Sequence, residues 1–217
     1  MHGLTTIQMI SVAVLPLLFA ITVHEVAHGW VALQFGDRTA QLLGRLTLNP
    51  FKHIDPVGTL LVPAVLLLLG GFVFGWAKPV PVDWRNLRNP KRDMAIVAAA
   101  GPLANLAMAI GWALIAKFAL LLDASLPQAA VPLLLMGKVG IYINIILMVL
   151  NLLPLPPLDG GRVLVGLLPH PYAAAVARLE PYGFFILVAL LATGILGQIL
   201  GPPVAALERL LFTLAGI

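Results

Sequence analysis

The sequence predicts an all-α polytopic membrane protein of about four to six transmembrane helices, with a re-entrant element and a small membrane-associated β element. Three observations predict it. Hydrophobic residues make up 60% of the 217 residues and charged residues only 10%, against roughly 25% charged in soluble domains. Apolar runs fall at 7–35, 56–76, 94–122, 131–153 and 182–200, each near or beyond the roughly 20 residues a spanning helix needs. The polar stretches between them are short, so 1–217 reads as a single domain.

The first run, 7–35, reads as a retained helix, because Met1–Gln8 carries no Lys or Arg and lacks a cleavable leader's basic start. Residues 40–48 alternate loosely up to Asn49-Pro50 and read as a short strand. Trp76–Asp83 reads as an extended edge strand, since Pro79 and Pro81 forbid a helix. Region 40–83 is therefore expected to combine β and re-entrant structure. Within it, 56–75 is long enough to span. Both flanks are basic, however: Arg38, Arg45 and Lys52 precede it, and Lys78, Arg85, Arg88, Lys91 and Arg92 follow. Positive-inside bias places both flanks on the cytoplasmic side. That favours a re-entrant hairpin broken at Pro63 and Gly70-Gly71. Helices at 94–122, 131–153 and 180–200 follow, and 202–217 reads as a short amphipathic tail. This order gives four spans with both termini outside. No internal repeat is evident, which weakens a transporter reading. The basic cluster has no aromatic interleaving and lies between membrane helices, so nucleic acid is excluded as a partner. Oligomeric state is left open.

His24-Glu25-Val26-Ala27-His28 spells H-E-x-x-H inside the first apolar run. Histidines four apart share one helix face and can reach one metal ion, while the intervening glutamate can deprotonate a water. His24 sits roughly 15–18 Å along the helix from the polar exit at Gly36-Asp37, so the site is expected nearer the cytoplasmic face. With no cysteine in the chain, a metal must be held by His, Asp or Glu. Most other acidic residues fall at loops or helix ends, so the intramembrane ionisable set is His24, Glu25, His28 and Asp159. Asp159 is favoured as third ligand over His53, which lies in the polar stretch Lys52–Asp55. The alternative for Asp159 is a helix cap at Gly160-Gly161. This ligand set favours Zn2+. Asn105 and Asn151 interrupt apolar helices and are candidates to orient substrate or an oxyanion, with interhelical packing as the alternative. Asn144 has no motif around it and reads as packing.

Three segments together carry a resemblance: His24-Glu25-Val26-Ala27-His28, Gly101-Pro102-Leu103-Ala104-Asn105, and Asn151-Leu152-Leu153-Pro154-Leu155-Pro156-Pro157-Leu158-Asp159-Gly160-Gly161. In this order they resemble the site-2 protease family of intramembrane zinc metalloproteases, in its short form without a PDZ or CBS domain. The resemblance implies that His24, His28 and Asp159 bind zinc, that Glu25 is the general base and that Asn151 assists at the active site. It also likens 44–50 to the family's membrane-inserted β element.

The expected activity is hydrolysis of peptide bonds in or near transmembrane segments. The partners are then a transmembrane protein or peptide substrate and the lipid bilayer of the cell membrane. An unwound substrate is expected to add as a strand along 44–48 and 78–82. The alternatives are a metal-binding membrane transporter and a non-proteolytic scaffold for transmembrane helices.

Overall fold

The computed structural model describes residues 5–68, 75–122 and 125–217. Nine α-helices lie among them. The first, α1 (Thr6–Gln34), opens on a reciprocal cap in which Thr5 and Gln8 each bond the other's backbone N–H. It closes where Gly36 takes φ +110°, and the Asp37 N–H returns to the Ala32 carbonyl. After the short α2 (Thr39–Leu42) and α3 (Val62–Leu68) come the long α4 (Pro90–Leu122) and α5 (Pro127–Asn151). Next are α6 (Asp159–Leu167), α7 (His170–Ala177), α8 (Glu180–Ala192) and α9 (Ile195–Ala215).

Four helices, α1, α4, α5 and α9, are long and apolar enough to cross a membrane. A fifth span results if α7 and α8, bent by 59°, count as one. The protein is a multi-pass membrane protein.

The bundle is built around α4, which packs against α1, α5, α6 and α9. Lipid supplies no hydrophobic drive between helices, so close backbone approach matters more. The interfaces are accordingly small: Ala20, Ala109, Ala116 and Ala119 are almost wholly buried. A methyl group at Gly137 would meet the Ala116 Cα at 3.0 Å. Larger side chains fill the gap further along, where Ile141, Ile145 and Val204 meet Trp112, Leu207 and Leu211.

Two expectations are corrected here. The small β element is not present: no strand lies among the described residues. Thr39–Leu42 forms a helical turn, Gly44 takes φ +61°, and 43–48 follows an irregular path. Residues 77–82 are neither helix nor strand and form no ladder. Pro79 and Pro81 have no N–H to give. Three neighbouring donors are bonded elsewhere: Lys78 N–H to the His53 carbonyl at 2.9 Å, Val80 N–H to Glu25 and Asp83 N–H to Asp37. The second correction concerns the C-terminal region. The break falls at Thr193-Gly194, where Gly194 takes φ +75°, and α9 runs unbroken through Pro202 and Pro203. Residues 202–215 are thus the second half of a buried-faced helix packed on α5 and α4. Gly201-Pro202-Pro203 looks like a stop in the sequence, but neighbouring helices sustain the helix there.

Of the expected re-entrant segment, Gly70-Gly71 lies outside the described residues. Its two ends meet: the Trp76 N–H bonds the Gly58 carbonyl at 3.0 Å, and the Thr59 hydroxyl bonds the Trp76 carbonyl at 2.8 Å.

Candidate active site

The helical repeat places His24 and His28 one turn apart on α1, with their Nε2 atoms 3.0 Å apart. Asp159, the first residue of α6, brings Oδ2 to 3.2 Å from His24 Nε2 and 3.3 Å from His28 Nε2. The Pro-rich turn after α5 delivers it. Gly160 and Gly161 lie directly against the backbone of that turn, at Leu152–Leu153 and Leu155–Pro156, where any side chain would collide. Asp159 and His24 are buried and His28 is nearly so. Among the described residues these three form the one cluster whose ligand atoms converge as a metal site requires.

Each imidazole is held from behind by α4. The Nδ1 of His28 donates to the Val97 carbonyl at 2.8 Å, and the Nδ1 of His24 lies 2.6 Å from Asn105 Oδ1. Both Nε2 atoms therefore face Asp159. Two features of the geometry favour a cation among them. Ligands at about 2.0–2.1 Å in a tetrahedron stand about 3.3 Å apart, and the observed separations are 3.0, 3.2 and 3.3 Å. Asp159 Oδ2 is buried without a hydrogen-bond partner, an expensive state for a carboxylate oxygen. A methyl group at Gly101 would lie 2.6 Å from His24 Nε2 and closer still to His28 Nε2. The absence of a side chain at Gly101 lets α4 pack directly against both imidazole rings.

The triad lines a cavity of about 590 Å³ that also contains Glu25, Asn151 and Val80. Glu25 Oε2 accepts the Val80 N–H at 2.7 Å. Asn151 spends one amide proton on the Leu147 carbonyl at 2.9 Å. At the rim, Arg162 and Glu180 face each other at 3.9 Å, both over 40% exposed.

The structure thus brings His24, Glu25, His28, Asp159 and Asn151 to one cavity. Asn105 does not line it, because its amide is spent on His24, Ala20 and Asn144 behind the wall. His53, the competing ligand, lies outside the cluster and bonds the Thr47 carbonyl at 2.9 Å. Val80 and Asn144 were not legible as site-supporting residues. Val80 acts through its backbone, which no side-chain pattern reveals. For Asn144 the available signal was an amide in the middle of an apolar helix.

A helix bundle that gathers two imidazoles and two carboxylates around one cavity defines an intramembrane metallohydrolase. Sequence comparison agrees: the profile described as Peptidase family M50 matches residues 12–131 and 125–192. YwhC of Bacillus subtilis (strain 168), which carries a zinc metalloprotease name, is 40% identical over 190 residues, covering 87% of this chain and 84% of that protein. Rip2 of Mycolicibacterium smegmatis, similarly named, is 35% identical over 182 residues, covering 83% of this chain and 66% of that protein. Rip2 of Mycobacterium tuberculosis (strain H37Rv) is 34% identical over 175 residues, covering 80% and 62%. No solved structure gives a significant match. The chain belongs to peptidase family M50, the site-2 protease family.

Proposed function

We propose that this protein is an intramembrane zinc metalloprotease that hydrolyses peptide bonds in or near the transmembrane segments of other membrane proteins. The observation that carries the reading is the convergence of His24, His28 and Asp159 on one point beside Glu25. His24 Nε2, His28 Nε2 and an Asp159 oxygen hold zinc, which when bound supplies a Lewis acid for the scissile carbonyl and makes water more acidic.

The chain's own groups do the rest. The Val80 N–H anchors one oxygen of Glu25 and leaves the other to the cavity. That oxygen takes a proton from the attacking water and passes it to the leaving amine. Asn151, with one amide proton uncommitted, donates to the substrate backbone. The cavity shields the reaction from lipid and admits a short unwound stretch of chain.

The meeting of Gly58 with Trp76 supports a segment that enters and leaves the membrane on one side. Together with the basic flanks, it supports an active site nearer the cytoplasmic face.

Reconstituted protein with a reporter transmembrane substrate tests the reading. Wild type cuts the reporter. Glu25→Gln retains zinc and loses cleavage by about a hundredfold or more. A Glu25→Gln protein that cuts at the wild-type rate would overturn the mechanism. A transporter would keep its function in that variant.

A further inference from the structure

Behind His24, on the side away from the cavity, α1, α4 and α5 enclose Asn105 and Asn144, each 0% exposed. Amides buried in an apolar bundle are costly unless their polar atoms are paired. Here the pairing runs in one direction. The Gly140 carbonyl can only accept, so Asn144 Nδ2 donates to it at 2.9 Å. That leaves Asn144 Oδ1 as the acceptor for Asn105 Nδ2, also at 2.9 Å. The second Asn105 amide proton goes to the Ala20 carbonyl at 3.2 Å. Asn105 therefore turns its oxygen to His24 Nδ1. An amide oxygen cannot donate, so the proton of a neutral His24 sits on Nδ1 and the lone pair on Nε2. Reversing the Asn105 amide would set its oxygen against two acceptors, the Ala20 carbonyl and Asn144 Oδ1.

We propose that Asn144 is a positioning residue for the metal site. Through Asn105 it sets the tautomer and orientation of His24, although it touches neither His24 nor the cavity. The proposal rests on the reading that His24 is a zinc ligand. It makes α5 a working part of the site at a second point, apart from Asn151 at its end. His28 provides an internal control, because its Nδ1 proton is fixed independently by the Val97 carbonyl.

Nitrogen NMR of zinc-free, histidine-labelled protein in detergent, at an alkaline pH where imidazoles are neutral, reads the tautomers directly. Wild type shows His24 protonated on Nδ1. Asn144→Leu mixes the His24 tautomers and leaves His28 unchanged. In competition with a zinc chelator, Asn144→Leu binds zinc about tenfold more weakly and Asn105→Leu up to about a hundredfold more weakly. Asn144→Asp is the rescue. As a buried neutral acid it keeps a donor for Gly140 and an acceptor for Asn105, so it restores the wild-type tautomer and most of the affinity. If the Leu variant fails to fold, Asn144→Ala carries the same expectation. A folded Asn144→Leu protein with wild-type tautomer and affinity overturns the proposal. So does an Asp variant that fails as the Leu variant does, because the effect is then packing. A wild-type protein that binds no zinc would sink the zinc reading, while the His24 tautomer would still decide the relay.

Discussion

The two walls of the active-site cavity are built differently. The rear wall is α4 packed against α1 and α5 through alanines and glycines, with polar atoms paired in series from Gly140 to His24. The front wall is the stretch 76–83, with no ladder and no helix. Single hydrogen bonds hold it in place. Arg45 donates to the Lys78 and Pro79 carbonyls at 3.0 and 3.2 Å, and Asp37 accepts the Asp83 N–H at 2.8 Å. Val80 N–H reaches Glu25 itself. Metal ligands must be held to within fractions of an ångström, which close packing provides. The front wall, held by separate hydrogen bonds, has no such close packing. On the proposed function, metal affinity depends on the rear wall and substrate handling on the front.

Substitutions can break or sharpen that division. The largest effect is expected at Gly101→Ala, whose methyl would collide with both the His24 and His28 rings and push them apart. Zinc affinity should fall by about a hundredfold or more, measured by chelator competition, with cleavage lost in step. An alanine variant with full zinc affinity would show that the rear wall is softer than its packing implies.

Next comes Asp37→Ala in the front wall. Asp37 accepts from the Thr39 N–H and hydroxyl, the Asp83 N–H and the Asn86 amide. Its removal leaves these donors unpaired and should cost about 1–3 kcal/mol in unfolding measurements. Cleavage should suffer while zinc affinity holds. The same residue sets an acid limit. Burial opposes ionisation of Asp37, but the bonds from Thr39, Asn86 and Asp83 outweigh it and hold the carboxyl below its ordinary range. A depressed folded-state value means that the contribution is complete above the unfolded value of about 3.9. It is lost as the pH falls through the lower folded value. Unfolding followed against pH should show that acid loss in wild type, and the loss should be absent in Asp37→Ala.

Arg45→Leu should loosen the same wall more mildly, by about 0.5–1.5 kcal/mol. Faster hydrogen exchange at Val80 and Val82, with zinc binding unchanged, would report it. The smallest effect is expected at Asp83→Asn. The bond to Arg85 lowers the Asp83 carboxyl's ordinary value, but that pair is open to solvent and screened. Neither unfolding nor cleavage should change measurably.

Much of this division could not be read along the chain. The helices were legible because lipid permits few alternatives to an apolar helix. The front wall was misread as strand because alternation and prolines describe an extended backbone, while a strand is defined by a partner. Pro79, Pro81 and three N–H groups committed elsewhere leave no partner here. The break at Gly194 was missed for a related reason. A proline pair and a glycine compete as breakers, and packing on α5 decides which one acts.

By itself, the amino-acid sequence determined that this chain lives in a membrane and that His24 and His28 share a helix face, with Glu25 on the adjoining one. Composition and the helical repeat settle both without reference to distant residues. Only the tertiary structure decided that Asp159, and not His53, completes the cluster. It also decided that Asn105 faces His24 instead of the cavity, and that Val80 meets Glu25. These contacts join residues 55 to 135 positions apart. Such contacts depend on how helices and loops are brought together, and no local periodicity encodes that.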